Sequence, residues 1–296
     1  MFRPGIGTYS IATMEDTLIK GMTLKDEFAK IAELGYDRVE ILEQDLEYDV
    51  ADIKKWADEY GLQITSIHAK PTEEIVQKMA QLGAMAVIWP SAWFCNKAEA
   101  IETAKELDEM AEMAAPYGIR IGYHNHTKEF FFTEGKTLLE HMLDNSSRFY
   151  LQLDCGWSMC AGIYPPYMIR KYAGRVFAIH VKENSRVLGP GARPASRYDT
   201  SAVITTPDFS KMSIEEKKAY VETFNEQQRQ RGWERRTSIP CRMNAPESNQ
   251  DWKEIKKALD EQEGIDAFWV VEREGFYADR YTCLADDCRW LKENLD

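Results

Sequence analysis

The chain has 296 residues, 44% of them apolar and 29% charged, with 11 prolines and 17 glycines, which is the balance of a folded globular protein rather than a disordered one. Its 37 basic and 49 acidic residues leave a net charge of −12, which repels phosphate backbones and argues against nucleic acid as the main partner. No apolar run approaches the roughly 18 residues of a membrane span, so no membrane association is expected. The first residues carry neither the basic stretch nor the apolar core of a signal peptide. The six cysteines (95, 155, 160, 241, 283 and 288) lack the CxxC spacing of a zinc knuckle, so cytoplasmic residence with reduced thiols is expected.

At the N-terminus, Gly5–Tyr9 reads as a first strand and is followed by a helical pattern near 23–34. From there one phrase recurs: amphipathic helix, glycine, two or three residues, strand. Ile31-Ala-Glu-Leu-Gly35 leads into Arg38–Leu42, and Trp56-Ala-Asp-Glu-Tyr-Gly61 into Gln63–His68. Met79-Ala-Gln-Leu-Gly83 leads into Met85–Trp89, and Ala115-Pro-Tyr-Gly118 into Arg120–His124. A glycine just past the last turn closes a helix in the left-handed conformation. Short helix-to-strand loops of this kind belong to βα units with parallel strands.

Three further strands, Tyr150–Asp154, Val176–His180 and Ala267–Glu272, bring the count to eight. Helical patterns follow near 49–60, 72–82, 97–115, 136–144, 165–173, 251–263 and 278–294. Strict alternation predicts a single α/β domain over 1–296, a closed (β/α)8 TIM barrel. An open doubly wound sheet fits less well, because no GxGxxG turn follows the first strand. One stretch breaks the rhythm: residues 184–250, after the seventh strand, form a long inserted excursion where a βα loop needs only a handful of residues. It opens with Gly189-Pro-Gly-Ala-Arg-Pro194, contains a helical segment near Ser213–Arg231, and carries Arg229, Arg231, Arg235, Arg236 and Arg242. Leaving from a strand's C-terminal end, it is expected to lie over the C-terminal face of the barrel as a lid or a subunit contact, or else to pack on the rim.

Four consecutive strands finish on side chains that bind metals or move protons: His124, Asp154, His180 and Glu272. Imidazole and carboxylate together suit Mn²⁺, Co²⁺, Fe²⁺ or Zn²⁺ better than Ca²⁺. Strands six to eight are neighbours in a barrel, so their tips would converge, with positions left open for a substrate's oxygens. Taken singly, each has an ordinary alternative: a strand-end histidine is often structural, and Asp154 precedes Cys155-Gly156, a place where Asp commonly makes a turn.

The motifs Gly122-Tyr-His-Asn-His126 with Glu129-Phe130, Leu153-Asp-Cys-Gly-Trp157, His180-Val-Lys-Glu183 and Val271-Glu272, joined by Arg38-Val-Glu40 and Ile67-His68, resemble the sugar isomerase/epimerase superfamily. These are xylose isomerase-like barrels that include inosose dehydratases and keto-sugar epimerases. The resemblance implies one divalent ion, Mn²⁺ above all, on His124, Asp154, His180 and Glu272, and a base that removes a proton beside a sugar carbonyl. Many relatives have glutamate where this chain has His124, so the symmetric two-glutamate arrangement is not visible here. His124 would itself serve as the base, a histidine near its ordinary pKa of about 6.5 being suited to that work, or, with His124 on the metal, His126 or Glu40 would carry the proton. Lys182 would supply a cation for an anionic intermediate or phosphate, or simply face solvent.

His68 would hydrogen-bond substrate hydroxyls, or be an idle rim residue. Aromatic residues at the same face (Tyr9, Trp89, Trp93, Phe94, Tyr123, Trp157, Phe276 and Tyr277) would stack on a sugar or aglycone, or close the barrel end. Trp89, Trp93 and Trp157 are the rings assigned to substrate. The reaction expected is enolisation of a sugar or keto-sugar, leading to isomerisation, epimerisation or β-elimination from a 3-oxo-glycoside. The last resembles the catalytic subunit of bacterial C-glycoside deglycosidases, which work with a small β-sandwich partner. Expected partners are a sugar or glycoside, other copies in an oligomer and, on the elimination branch, that subunit. An endonuclease IV-like nuclease is the alternative, but it needs three metals and a basic groove, against five histidines and a charge of −12. A non-catalytic sugar-binding barrel is the other.

Overall fold

A computed structural model describes residues 2–183, 186–199, 207–231 and 240–296. Eight parallel strands close into a barrel: β1 (Pro4–Gly7), β2 (Arg38–Leu42), β3 (Gln63–His68), β4 (Ala86–Trp89), β5 (Arg120–His124), β6 (Tyr150–Asp154), β7 (Val176–Val181) and β8 (Phe268–Val271). The expected (β/α)8 architecture is what forms, with β8 pairing to β1 at the closure.

The helices follow the expected order: α1 (Met14–Leu18), α2 (Leu24–Glu33), α3 (Val50–Glu59), α4 (Glu73–Gln81), α5 (Lys97–Ala114), α6 (Leu138–Asp144), α7 (Cys155–Cys160), α8 (Pro165–Lys171), α9 (Ile214–Arg231), α10 (Trp252–Asp260) and α11 (Arg280–Asn294). Their starts are chemically marked. Thr23 with Asp26, and Thr137 with Glu140, form capping boxes that satisfy the first free backbone N–H groups. Gly35, Gly61, Gly83 and Gly118 all take positive φ, as the recurring phrase requires.

Four local features depart from the sequence reading. Tyr9 lies beyond β1, in a short 3-10 turn (Thr8–Ser10), and α1 is an added turn of helix before α2. Cys155-Gly156 is not a turn but the start of α7. A small antiparallel hairpin, Phe132–Thr133 with Lys136–Thr137, precedes α6.

Inside the barrel, Ala86, Ile88, Phe177, Ala178, Phe268 and Val270 form a buried apolar cluster of their own. Gly122 meets this plug: a Cβ there would lie 2.5 Å from Ile88 Cδ1 and 3.0 Å from the Phe177 ring. His124, two residues further along β5, therefore stands above a close-packed floor. After β7, Arg193 donates to the Cys95 carbonyl and Arg197 to Thr103 and Glu106, tying residues 186–199 to α5 and the segment before it. The helix expected near Ser213–Arg231 is α9, which packs against α1 and buries Val221. Arg235 and Arg236 lie outside the described residues; Arg242 lies over the Tyr277 ring. No helix among the described residues is long and apolar enough to cross a membrane.

Candidate metal centre

The register of the barrel brings the strand ends level. Asp154 pairs with His180 across β6 and β7, His124 with Gln152 across β5 and β6, and Glu40 with Ser66 across β2 and β3. His124, Asp154, His180 and Glu272 each offer one ligand atom, and these atoms lie within 4.8 Å of one another; His68, His124 and His180 form a second such group. All five side chains belong to residues that are buried or nearly so.

Asp154 divides its two oxygens. Oδ1 caps α7 by accepting the Trp157 N–H at 2.6 Å. Oδ2 is buried with no hydrogen-bond partner among the described residues. An unsatisfied buried acceptor costs about 1–3 kcal/mol, and a cation removes that penalty. Burial, reinforced by Glu272, pushes the Asp154 carboxyl well above its ordinary range. Two imidazoles and two carboxylates, one with a free oxygen, fit a borderline divalent ion such as Mn²⁺, Co²⁺, Fe²⁺ or Zn²⁺.

His180 stands between two carboxylates, with Nδ1 2.5 Å from Glu272 Oε2 and Nε2 2.8 Å from Glu40 Oε1. Burial alone would lower its pKa, but Glu40 and Glu272 push it up to about 10. Glu272 is held on its other side by Lys182, whose ammonium lies 2.9 Å from Oε1 and 2.7 Å from Glu274 Oε2. Burial would raise Glu272, yet Lys182 and His180 outweigh it and hold the carboxyl well below its ordinary range.

Lys182 is neither solvent-facing nor part of the cavity wall. It is 2% exposed, its ammonium sits 4.1 Å from the centre of the Trp157 ring, and its stem crosses Gly156. It holds Glu272 in place and is not among the residues that line the cavity. Glu40, the other proposed proton carrier, is fully engaged. It accepts from Ser66 at 2.6 Å, Gln152 at 2.7 Å and Tyr9 at 3.2 Å, and contacts His180 at 2.8 Å and His68 at 3.1 Å. Burial opposes its ionisation, but His68 and His180 win and hold it at about 2. A carboxylate so saturated is a fixed acceptor and is poorly suited to take up a proton.

His126 is different. It lines the cavity, and its Nδ1 is buried without a hydrogen-bond partner among the described residues. Burial outweighs Glu129 and lowers its pKa to about 4, so the ring is neutral. Glu129 positions the loop by accepting the His126 backbone N–H at 2.8 Å and the Tyr123 hydroxyl at 2.7 Å.

The cavity above these groups has a volume of about 580 Å³. His68, His124, His126, Glu272 and Glu274 supply polar lining, and Met14, Leu42, Val221, Phe224 and Phe276 supply apolar lining. Trp89, Trp93 and Trp157 are not on this wall. Trp89 is buried under Lys70, Trp93 is 49% exposed beneath Lys128, and Trp157 packs against Lys182 and His126. Tyr9, Phe224 and Phe276 are the rings that face the cavity. Gln152 and Ser66 escaped the sequence reading although a signal was present: each stands two residues before a site residue, Asp154 and His68, on the same inward face of its strand.

With that geometry in hand, the family is plain. The profile of the xylose isomerase-like TIM barrel family matches residues 28–294, and the chain belongs to that family. No curated protein matches it. Among solved structures, a sugar phosphate isomerase/epimerase from Parabacteroides distasonis superposes with a TM-score of 0.67 at 19% identity, covering 99% of this chain and 94% of that one. An L-ribulose 3-epimerase gives 0.61 at 12% identity over 100% and 95%. A probable 3-DHS dehydratase from Bacillus anthracis gives 0.62 at 12% identity over 99% and 100%. At these identities the likeness is one of fold.

Proposed function

We propose that this chain is a divalent-metal enzyme that enolises a sugar or keto-sugar. The observation that carries the reading is the quartet His124, Asp154, His180 and Glu272, gathered within 4.8 Å beside a cavity of about 580 Å³. A divalent ion held by these four residues, Mn²⁺ foremost, supplies electrophilic polarisation of substrate oxygens.

The chain's own groups do the rest. His126 offers a neutral, unpartnered nitrogen and takes the proton from the carbon beside the carbonyl. His68 and Glu274 hold hydroxyls, Lys182 fixes Glu272, and the apolar wall with α9 excludes water. Inverting a carbon requires bases on two faces, and Glu40 is too fully engaged to be the second. The reading therefore favours one-base chemistry. Returning the proton to the neighbouring carbon is isomerisation; expelling a substituent instead is β-elimination, as the name of the dehydratase neighbour suggests.

Elimination from a 3-oxo-glycoside is the second reading. The apolar upper wall of Met14, Leu42, Val221, Phe224 and Phe276 favours it, since that wall would accept an aglycone. A small β-sandwich subunit would accompany this branch, and residues 184–250 would act as lid or subunit contact. Cytoplasmic residence and an oligomeric state belong to the same proposal.

The test has two parts. Protein purified without chelator, beside Asp154→Ala and His180→Ala, is expected to hold about one divalent ion per chain, lost in both variants. Metal-loaded protein incubated with a panel of ketoses in D₂O should introduce deuterium beside the carbonyl by NMR, and His126→Ala should abolish exchange while keeping its metal. Metal-replete protein that exchanges no ketose and releases no aglycone from any 3-oxo-glycoside would end the enolisation reading.

A further inference from the structure

We propose that Gln152 is a positioning residue that sets the tautomers of His68 and His124, leaving Nδ1 of His68 and Nε2 of His124 as the lone-pair nitrogens. The argument is one of hydrogen-bond direction. The Gln152 side chain is fully buried in β6, and one end of its amide lies 2.7 Å from Glu40 Oε2. Glu40 already accepts the Ser66 hydroxyl at 2.6 Å on that oxygen, and its other oxygen faces His180 Nε2 at 2.8 Å. An ionised carboxylate can only accept, so the amide NH₂ must face it; the reversed amide would set two acceptors against each other.

The carbonyl end is then fixed. Gln152 Oε1 lies 2.8 Å from His68 Nε2 and 3.2 Å from His124 Nδ1. A carbonyl oxygen only accepts, so both nitrogens must carry hydrogen. His124 is thereby the Nδ1–H tautomer and His68 the Nε2–H tautomer. At mildly alkaline pH an imidazole is ordinarily neutral, so each ring retains one lone pair. By the same logic His180 donates from Nε2 to Glu40 and from Nδ1 to Glu272, so that ring carries hydrogen on both nitrogens. One buried carboxylate on β2 thus faces His180 and His68 directly and reaches His124 through the amide, which His68 shares. Partners at this distance from a ligand govern both ring orientation and ligand basicity. The tautomer assignment stands without a metal; its consequence, that His124 meets the ion through Nε2, rests on the metal reading above.

The test is a long-range ¹H–¹⁵N correlation spectrum of metal-free, ¹⁵N-histidine-labelled protein at mildly alkaline pH, with rings assigned through His68→Asn and His124→Asn. The expected result is a protonated Nδ1 on His124 and a protonated Nε2 on His68. Gln152→Met keeps the volume and removes the acceptor. It should shift the His124 signature, while His68 keeps Glu40 Oε1 at 3.1 Å as its acceptor, and weaken Mn²⁺ binding about 10–100-fold in titration. A wild-type His124 protonated on Nε2, or a Gln152→Met spectrum with His124 unchanged, overturns the proposal. If Gln152→Met fails to fold, the wild-type spectrum decides alone. Wild-type tautomers as assigned, in a protein that takes up no divalent ion, would support the role of Gln152 and refute the metal reading instead.

Discussion

Lys182→Met is the most informative single substitution, because methionine keeps the stem and discards only the charge. The ammonium is 2% exposed and lies 2.9 Å from Glu272 and 2.7 Å from Glu274. Its removal leaves the buried Glu272 carboxylate with one cation fewer and with Glu274 nearby at the surface. Breaking a buried pair by deleting one partner costs about 3–5 kcal/mol. At roughly 2 °C per kcal/mol for a chain of this size, Tm should fall by about 6–10 °C at neutral pH. The loss has a signature in pH. Glu272 is held below its ordinary pKa in the folded state, so its stabilisation is present above the ordinary carboxylate range and lost as pH falls. The gap between parent and variant should therefore be widest at neutral pH and narrow on acidification. Added Mn²⁺ should recover part of the lost Tm, since a divalent ion replaces the missing positive charge. Scanning calorimetry at several pH values, with and without metal, measures all of this. A variant melting within about 1 °C of the parent at neutral pH would refute the buried role of Lys182.

Gly156→Ala should damage the same place from the other side. The new Cβ would lie 2.6 Å from Lys182 Cγ and 2.7 Å from its carbonyl oxygen, so a cost of about 1–3 kcal/mol and weaker metal uptake are expected from denaturant melts and metal analysis. Glu27 gives a pH prediction of opposite sign. Burial, helped by Asp45, raises it from its ordinary 4.5 to about 8, so the folded state keeps a proton that the unfolded state has released. Its penalty is absent below the ordinary value and grows as pH rises towards about 8, reaching at most about 5 kcal/mol. Glu27→Gln should flatten that decline; urea midpoints that fall with pH equally in both proteins would count against it. Phe224→Ala on α9 should raise KM about 10-fold while metal content stays unchanged, if the α9 wall touches substrate. An unchanged KM would remove α9 from the substrate's surroundings.

Much of the fold could be read locally. A glycine that ends a helix does so through its own backbone freedom, so Gly35, Gly61, Gly83 and Gly118 punctuated the repeat correctly. The positions of His124, Asp154, His180 and Glu272 at strand ends were equally visible, because alternation and strand length are short-range properties. Asp154 was harder: its capping and site roles belong to different oxygens of one carboxylate, a division no residue string records. The tryptophans misled because size and position say nothing of which way a ring turns. Trp157 faces inward to Lys182 while Phe276 faces the cavity.

The sequence by itself determined eight strand-and-helix units and the side chains that end each strand, since these follow from local periodicity, capping and turn chemistry. Only the closed barrel decided what those side chains do. Glu40 meets Gln152 across 112 positions and His180 across 140, and that meeting turns a candidate base into a fixed acceptor. Lys182, two residues beyond His180 and nominally a surface cation, became a buried counter-charge because Gly156 makes room for its stem. The physical reason is that protonation and hydrogen-bond direction depend on which atoms lie within about 3 Å, and over such sequence separations only tertiary packing sets that distance.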